Sequence, residues 1–229
     1  LVARVLHQLI AEGTLRSPTA LVSYAAGAVV FWDFSTVSSS TGLPQMCVVT
    51  DVGAMFCPCS TPFADVASDG PQRSAMLCLL ARFGELAEAH QPHQPQHEGP
   101  GPCFGAAVQG AALAFRTAKR CGRAIVFCGE LPTSGPGALA PRDHLAASPS
   151  TQTPPANTTT THSSSSGGAA EDEAKLLVPS GTFYTKLGEQ CARCHVGVDL
   201  FALAGRGECD LATVGELARL TGGHVHWQP

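Results

Sequence analysis

At 229 residues and 23.6 kDa, the chain is long enough for one sizeable core, or for one domain carrying an insertion. A net charge of −4 and a pI of about 6.1 exclude a globally basic nucleic-acid footprint. No stretch reaches the ~20 apolar residues a bilayer span needs, and the richest, residues 25–32, is far shorter, so any membrane contact is expected to be peripheral.

Val2, Val5, Leu6, Leu9 and Ile10 recur at helical spacing and predict an opening amphipathic helix. Residues 20–34 read as a strand pair turning at Ala26-Gly27, and residues 46–50 as a short apolar strand closed by Asp51. A helix follows, with Met76, Leu79, Leu80, Phe83, Leu86 and Ala87 on one face. Residues 91–102 are a breaker-rich loop. A second helix over 104–120 turns Phe104, Val108, Ala111, Ala112 and Phe115 inward, and a strand is expected at 124–128. Residues 131–137 form a loop filled with turn residues.

Residues 140–175 break the pattern. From Ser148 to Ser166, 15 of 19 residues are Ser, Thr or Pro. Without an apolar period this segment cannot offset its ordering entropy, so it reads as a disordered insertion in a surface loop. Loop-closure entropy grows slowly with length, which makes such an insertion tolerable. Periodicity returns with a helix at 181–194, a strand at 196–204, a helix at 210–221 stopping at Gly222-Gly223, and a last strand holding Val225 and Trp227. Helices alternating with apolar strands define an α/β class: a mostly parallel central sheet with helices on both faces, and the 20–50 region at one side. Such a fold should open on a strand, so the first strand is expected to be missing, and the chain, which starts at Leu1, reads as an excerpt.

Ten cysteines raise the question of disulfides. Cys47, Cys78 and Cys128 sit within apolar runs, where a free thiol behaves as a small hydrophobe. A chain with its own core needs no staples, so reduced thiols are expected. Cys191-Ala-Arg-Cys194-His195 matches the C-x-x-C-H haem-attachment pattern, and equally a redox pair or half of a zinc site. The structural alternative puts Cys191 on the apolar face in register with Leu187, and His195 at the helix end, where it favours the dipole. Cys57 and Cys59 have the wrong spacing to complete a zinc site, and Cys209 reads as isolated. His90, His93 and His97 fit either a metal-binding tract or a solvated loop. His224 and His226 share one face of the last strand, at its edge. Arg116, Lys119, Arg120 and Arg123 suit a helix C-terminus or an anionic partner. No nucleophile elbow, phosphate loop or catalytic carboxylate pair is present, so no catalytic, cofactor or metal residue is assigned.

Five ordered segments resemble one family. Met46-Cys-Val-Val-Thr-Asp51 with Phe56-Cys-Pro58, Leu131 to Leu139, Phe183-Tyr-Thr-Lys-Leu187 through Cys191, Val198-Asp-Leu-Phe201, and Asp210 to Leu217 with Leu220 to Val225 are similar to the Sec-twenty-four-type trunk of the COPII inner coat. The resemblance covers nearly the whole chain outside 140–175. It implies a partial von Willebrand A-like trunk over residues 1–229, with coat assembly and cargo capture and no catalysis. The implied partners are the sister inner-coat subunit, cargo or SNARE sorting signals, and peripherally the endoplasmic reticulum membrane, in the cytosol. The family's zinc finger lies outside this segment, so no cofactor is expected. A second possibility is a cation-dependent von Willebrand A-type adhesion domain. The loop before the 104–120 helix lacks its Thr, however, and Gly129-Glu130 stands where an Asp would follow the strand.

Overall fold

The structure, a computed structural model, describes residues 1–89, 100–142, 174, 176–203 and 209–228. His90, His93, His97 and nearly all of the Ser/Thr-rich insertion lie outside these residues.

The chain opens with helix α1 (Val2–Ala11). Its apolar side, including the fully buried Ile10, packs against α2 (Pro71–Ala89), which contributes Met76, Leu79 and Leu80 to the same cluster. Leu6, Ile10, Met76, Leu79, Leu80, Phe83 and Leu86 face this cluster as expected, whereas Val5 is 48% exposed and is not part of it. Arg73 of α2 donates to the Ile10 and Ala11 carbonyl oxygens (3.0 and 3.2 Å), satisfying acceptors that a helix end leaves without intrahelical partners.

Strands β1 (Val22–Ala25), β2 (Ala28–Val37) and β3 (Pro44–Val49) form an antiparallel meander. Gly27 takes φ +69°, the left-handed conformation that lets the two-residue Ala26-Gly27 turn close β1 on β2. Strands β4 (Gly122–Cys128), β5 (Val196–Leu203) and β6 (Val225–Gln228) form a separate parallel sheet in the order β4-β5-β6. A parallel sheet flanked by helices is the architecture expected from the alternating pattern. The meander stands beside it as a second sheet of its own.

Helix α3 (Phe104–Thr117) joins the two. Phe104, Val108, Ala112 and Phe115 enter the core of the parallel sheet, while Ala106 and Ala107 enter the core of the meander with Val29 and Phe31. A helix buried on both sides must come close to its neighbours, and its small residues allow this. A Cβ at Gly105 would lie 2.1 Å from the Pro136 carbonyl oxygen, and one at Gly110 2.7 Å from Phe31 Cζ. That close approach outweighs the roughly 1 kcal/mol helix-propensity cost of each glycine.

After α4 (Phe183–Arg193) and β5, the single helix expected at 210–221 is divided into α5 (Leu211–Val214) and α6 (Glu216–Thr221) by Gly215. Gly215 keeps right-handed helical angles, so the axis is nearly continuous. Gly222, at φ +68°, then ends α6 as the sequence predicts. A Cβ at Gly223 would meet the Val198 carbonyl oxygen at 1.9 Å, which fixes the close passage of the chain into β6.

Candidate functional site

In an open parallel sheet, ligands bind beyond the carboxyl ends of the strands, so the ends of β4 and β5 are where a reactive centre would be sought. Cys128 ends β4 fully buried, and its Sγ donates to the Glu130 carbonyl oxygen at 3.3 Å. Cys209 lies just ahead of α5 with its Sγ 3.7 Å from Cys128 Sγ. The isolation read for Cys209 is thus corrected: residues 81 apart in sequence meet because β4 and the start of α5 converge. Tyr24, reaching across from β1, donates its hydroxyl to the Phe127 carbonyl oxygen (2.8 Å). Burial, followed by the neighbouring Cys128, Cys103 and Cys209 thiols, pushes the Tyr24 phenol well above its usual range, so it remains a donor.

Beside these thiols is an ion-pair network. Asp210 caps α5: Oδ1 accepts from the Thr213 backbone N (3.1 Å), and Oδ2 from the Thr213 hydroxyl (2.7 Å) and Arg142 Nη2 (2.7 Å). Thr213 Oγ1 also accepts from the Ser180 backbone N (2.7 Å) and from Arg142 Nη2 (2.9 Å). Arg142 Nη1 reaches the Val178 carbonyl oxygen at 2.9 Å. Arg142 precedes the Ser/Thr-rich insertion and Val178 and Ser180 follow it. One buried cap therefore clasps both flanks, which is how the fold carries a long insertion without opening its core.

Two further carboxylates, neither singled out by sequence reasoning, are tied into the sheets. Asp33 on β2 accepts from the backbone N of Ser35 (2.9 Å), Ser60 (2.9 Å) and Thr61 (3.1 Å). Asp199 on β5 accepts from Arg123 Nη1 at 2.7 and 2.6 Å and from the His224 backbone N at 2.9 Å. Burial alone would raise both carboxyls, but the hydrogen bonds, together with Arg123 at Asp199, outweigh it and hold them below the usual aspartate range. A depressed native value contributes stability that is present above the unfolded-state value near 3.9 and lost as pH falls through the native one. The urea midpoint is therefore expected to drop as pH is lowered from 5 toward 2, with a shallower decline in Asp199→Asn. An unchanged pH slope in that variant would contradict this assignment.

The sequence-predicted residues take structural places. Cys191 is 1% exposed within the core, and burial, then Cys194, pushes its thiol up to about 11. Cys194 is half-buried, and His195 sits exposed beyond the helix end at φ +55°. Cys191 thus packs on the apolar helix face in register with Leu187, and Cys194 lies against the same core. Among the described residues, no group of three or more His, Cys, Asp and Glu converges as a metal site would require. Of the four basic residues, Arg116 stands in the last turn of α3, Lys119 just beyond it at φ +50°, Arg120 over the Phe63 ring (5.8 Å), and Arg123 pairs with Asp199. His226 lies on the edge strand, stacked on Phe201 at 4.3 Å, which itself stacks on Phe127 at 5.2 Å. Among the described residues no helix is long and apolar enough to cross a membrane.

A parallel sheet flanked by helices, an antiparallel meander beside it, and strand ends closed by a thiol pair and an ion-pair cap define an α/β module. The chain belongs to the Sec23/Sec24 trunk domain family, whose model it matches over residues 4–229. It is 28% identical over 196 residues to human "Protein transport protein Sec24A", covering 86% of this chain and 15% of that protein. It is 27% identical over 199 residues to "Protein transport protein SEC24" of Dictyostelium discoideum, covering 86% of this chain and 16% of that protein. Among solved structures, that of the human COPII-coat protein Sec24c superposes with a TM-score of 0.68 over 99% of this chain and 27% of that one, at 22% identity, and shares the fold. The chain thus spans about 15% of the length of the Sec24A proteins it matches.

Proposed function

We propose that this chain is the trunk module of a COPII-type coat subunit serving vesicle transport from the endoplasmic reticulum to the Golgi. In this reading it assembles with the sister inner-coat subunit and belongs to an adaptor for cargo or SNARE sorting signals. It acts from the cytosol, peripheral to the membrane, with no catalysis and no cofactor of its own. The observation that carries the reading is a single trunk-domain family spanning residues 4–229. The site chemistry agrees with it. Cys128, Asp210 and Arg142 at the strand ends are engaged in bonds within the fold, so partners must be met through outer surfaces. Ile125, Leu203, Val225 and Trp227 expose apolar surface on the strands of the parallel sheet, of the kind protein interfaces bury.

The test is a pull-down of the full-length protein with the sister subunit of the Sec23/Sec24 pair. A stable one-to-one complex is expected. Failure of the correctly folded full-length protein to associate would overturn the reading.

A further inference from the structure

We propose that Cys128 and Cys209 form a reversible disulfide, with Cys209 as the attacking thiol, Cys128 as the resolving thiol and a low-molecular-weight disulfide such as glutathione disulfide as oxidant. The pair is defined by geometry. The two Sγ atoms are already in contact at 3.7 Å, and a bond requires closure to about 2 Å. The two thiols differ in access: Cys128 is completely buried at the end of β4, whereas Cys209 is only half-buried in the segment leading to α5. A soluble oxidant therefore meets Cys209 first. Its hydrogen bond with Cys128 also holds the Cys209 thiol below its usual range despite burial, which enriches the nucleophilic thiolate.

The chemistry balances in two exchanges. The Cys209 thiolate attacks one sulfur of glutathione disulfide, forming a mixed disulfide and expelling one glutathione thiolate. Cys128 then attacks Cys209 Sγ, forming the Cys128–Cys209 bond and expelling the second glutathione. The two protein S–H protons end on the two glutathiones. The protein dithiol is oxidised and one glutathione disulfide is reduced.

The bond would tie the end of β4 to the residue preceding the Asp210 cap, closing a loop that contains the Ser/Thr-rich insertion. The proposal stands independently of the transport reading, since its measurement involves no coat partner.

The experiment titrates the fully reduced chain with graded ratios of glutathione disulfide to glutathione, followed by acid quenching, alkylation, digestion and mass spectrometry. The Cys128–Cys209 linked peptide is expected to be the first disulfide to accumulate. Cys209→Ser should abolish it, and Cys128→Ser should stop at the Cys209–glutathione adduct. Thermal unfolding of the oxidised protein should shift upward, and dithiothreitol should reverse the shift. Two outcomes overturn the proposal: Cys209 accumulating as a glutathione adduct in the unaltered chain, or Cys57–Cys59 or Cys191–Cys194 forming while Cys128 and Cys209 remain reduced.

Discussion

Asp210→Ala is expected to destabilise the fold by about 3 kcal/mol, read as a lower urea midpoint. Removing one partner of a buried ion pair costs about 3–5 kcal/mol, and here the exposures are 8% for the Asp210 side chain and 17% for Arg142. The expected value sits at the lower end because Arg142 retains its bonds to the Val178 carbonyl oxygen and the Thr213 hydroxyl. About 1 kcal/mol of the loss is the cap itself, since Thr213 N loses its side-chain acceptor and keeps only the residue 210 carbonyl oxygen. Asp210→Asn separates the contributions. It preserves an oxygen for Thr213 N while removing the charge beside Arg142, so roughly half the loss is expected. The location of the damage is as diagnostic as its size. The flanks around Arg142 and Ser180 should become protease-sensitive in Asp210→Ala before the core does. If the alanine variant loses less than ~1 kcal/mol with flanks still protected, the clasp contributes little.

The alternation of apolar periods was sufficient to locate nearly every element, because most helices and strands bury one face and the pattern records that face; β6, exposed along its length, is the exception among the described strands. Phe104, Val108, Ala112 and Phe115 are the clearest case, entering the parallel-sheet core as their spacing requires. Gly27 and Gly222 were readable for a different reason: both stand where the chain must adopt a positive φ. The separation of the meander from the parallel sheet was not readable, because which strand edges meet depends on contacts far apart in sequence. The Cys128–Cys209 contact was hidden for the same reason. The Asp210 cap did carry a local signal. An Asp three residues before Thr213 at a helix start is a capping spacing, but its second role as anchor for Arg142 and Ser180 exists only once the insertion's flanks are brought together. Asp33 could have been suspected from its place in Val-Val-Phe-Trp-Asp-Phe, since a carboxylate in an apolar run needs donors when buried. Those donors, Ser60 and Thr61, come from a segment with no strand or helix pattern at all. The C-x-x-C-H motif carried its structural reading in its own spacing, which places Cys191 in register with Leu187 on a helix face, and both are buried in one core.

Phe104→Ala should be the most damaging single truncation at the junction of the two sheets, at about 4 kcal/mol. Truncating a buried Phe to Ala typically costs about 3–5 kcal/mol, from lost transfer energy plus the cavity left behind. Phe104 is 1% exposed, and its ring lies 5.9 Å from that of Tyr24 and 6.1 Å from that of Tyr184. Tyr24 ties the meander to β4 through the Phe127 carbonyl oxygen, and Tyr184 ties α4 to the Gly137 carbonyl oxygen (2.9 Å). The Phe104 ring is the apolar filler between these two polar ties. The conservative comparison is Tyr184→Phe, which keeps the ring but removes one buried donor, for a loss of about 1–2 kcal/mol. Denaturant unfolding distinguishes two consequences of Phe104→Ala. A lower midpoint with unchanged m means a cavity in a fold that still unfolds as a unit. A lower midpoint with reduced m means that the meander and the parallel sheet have come apart, because α3 is the helix that carries side chains into both cores. The first outcome is expected, since Ala106, Ala107 and the close approach at Gly110 still hold α3 against the meander. A loss no larger than that of Tyr184→Phe would mean that the polar ties, rather than the ring between them, carry the junction.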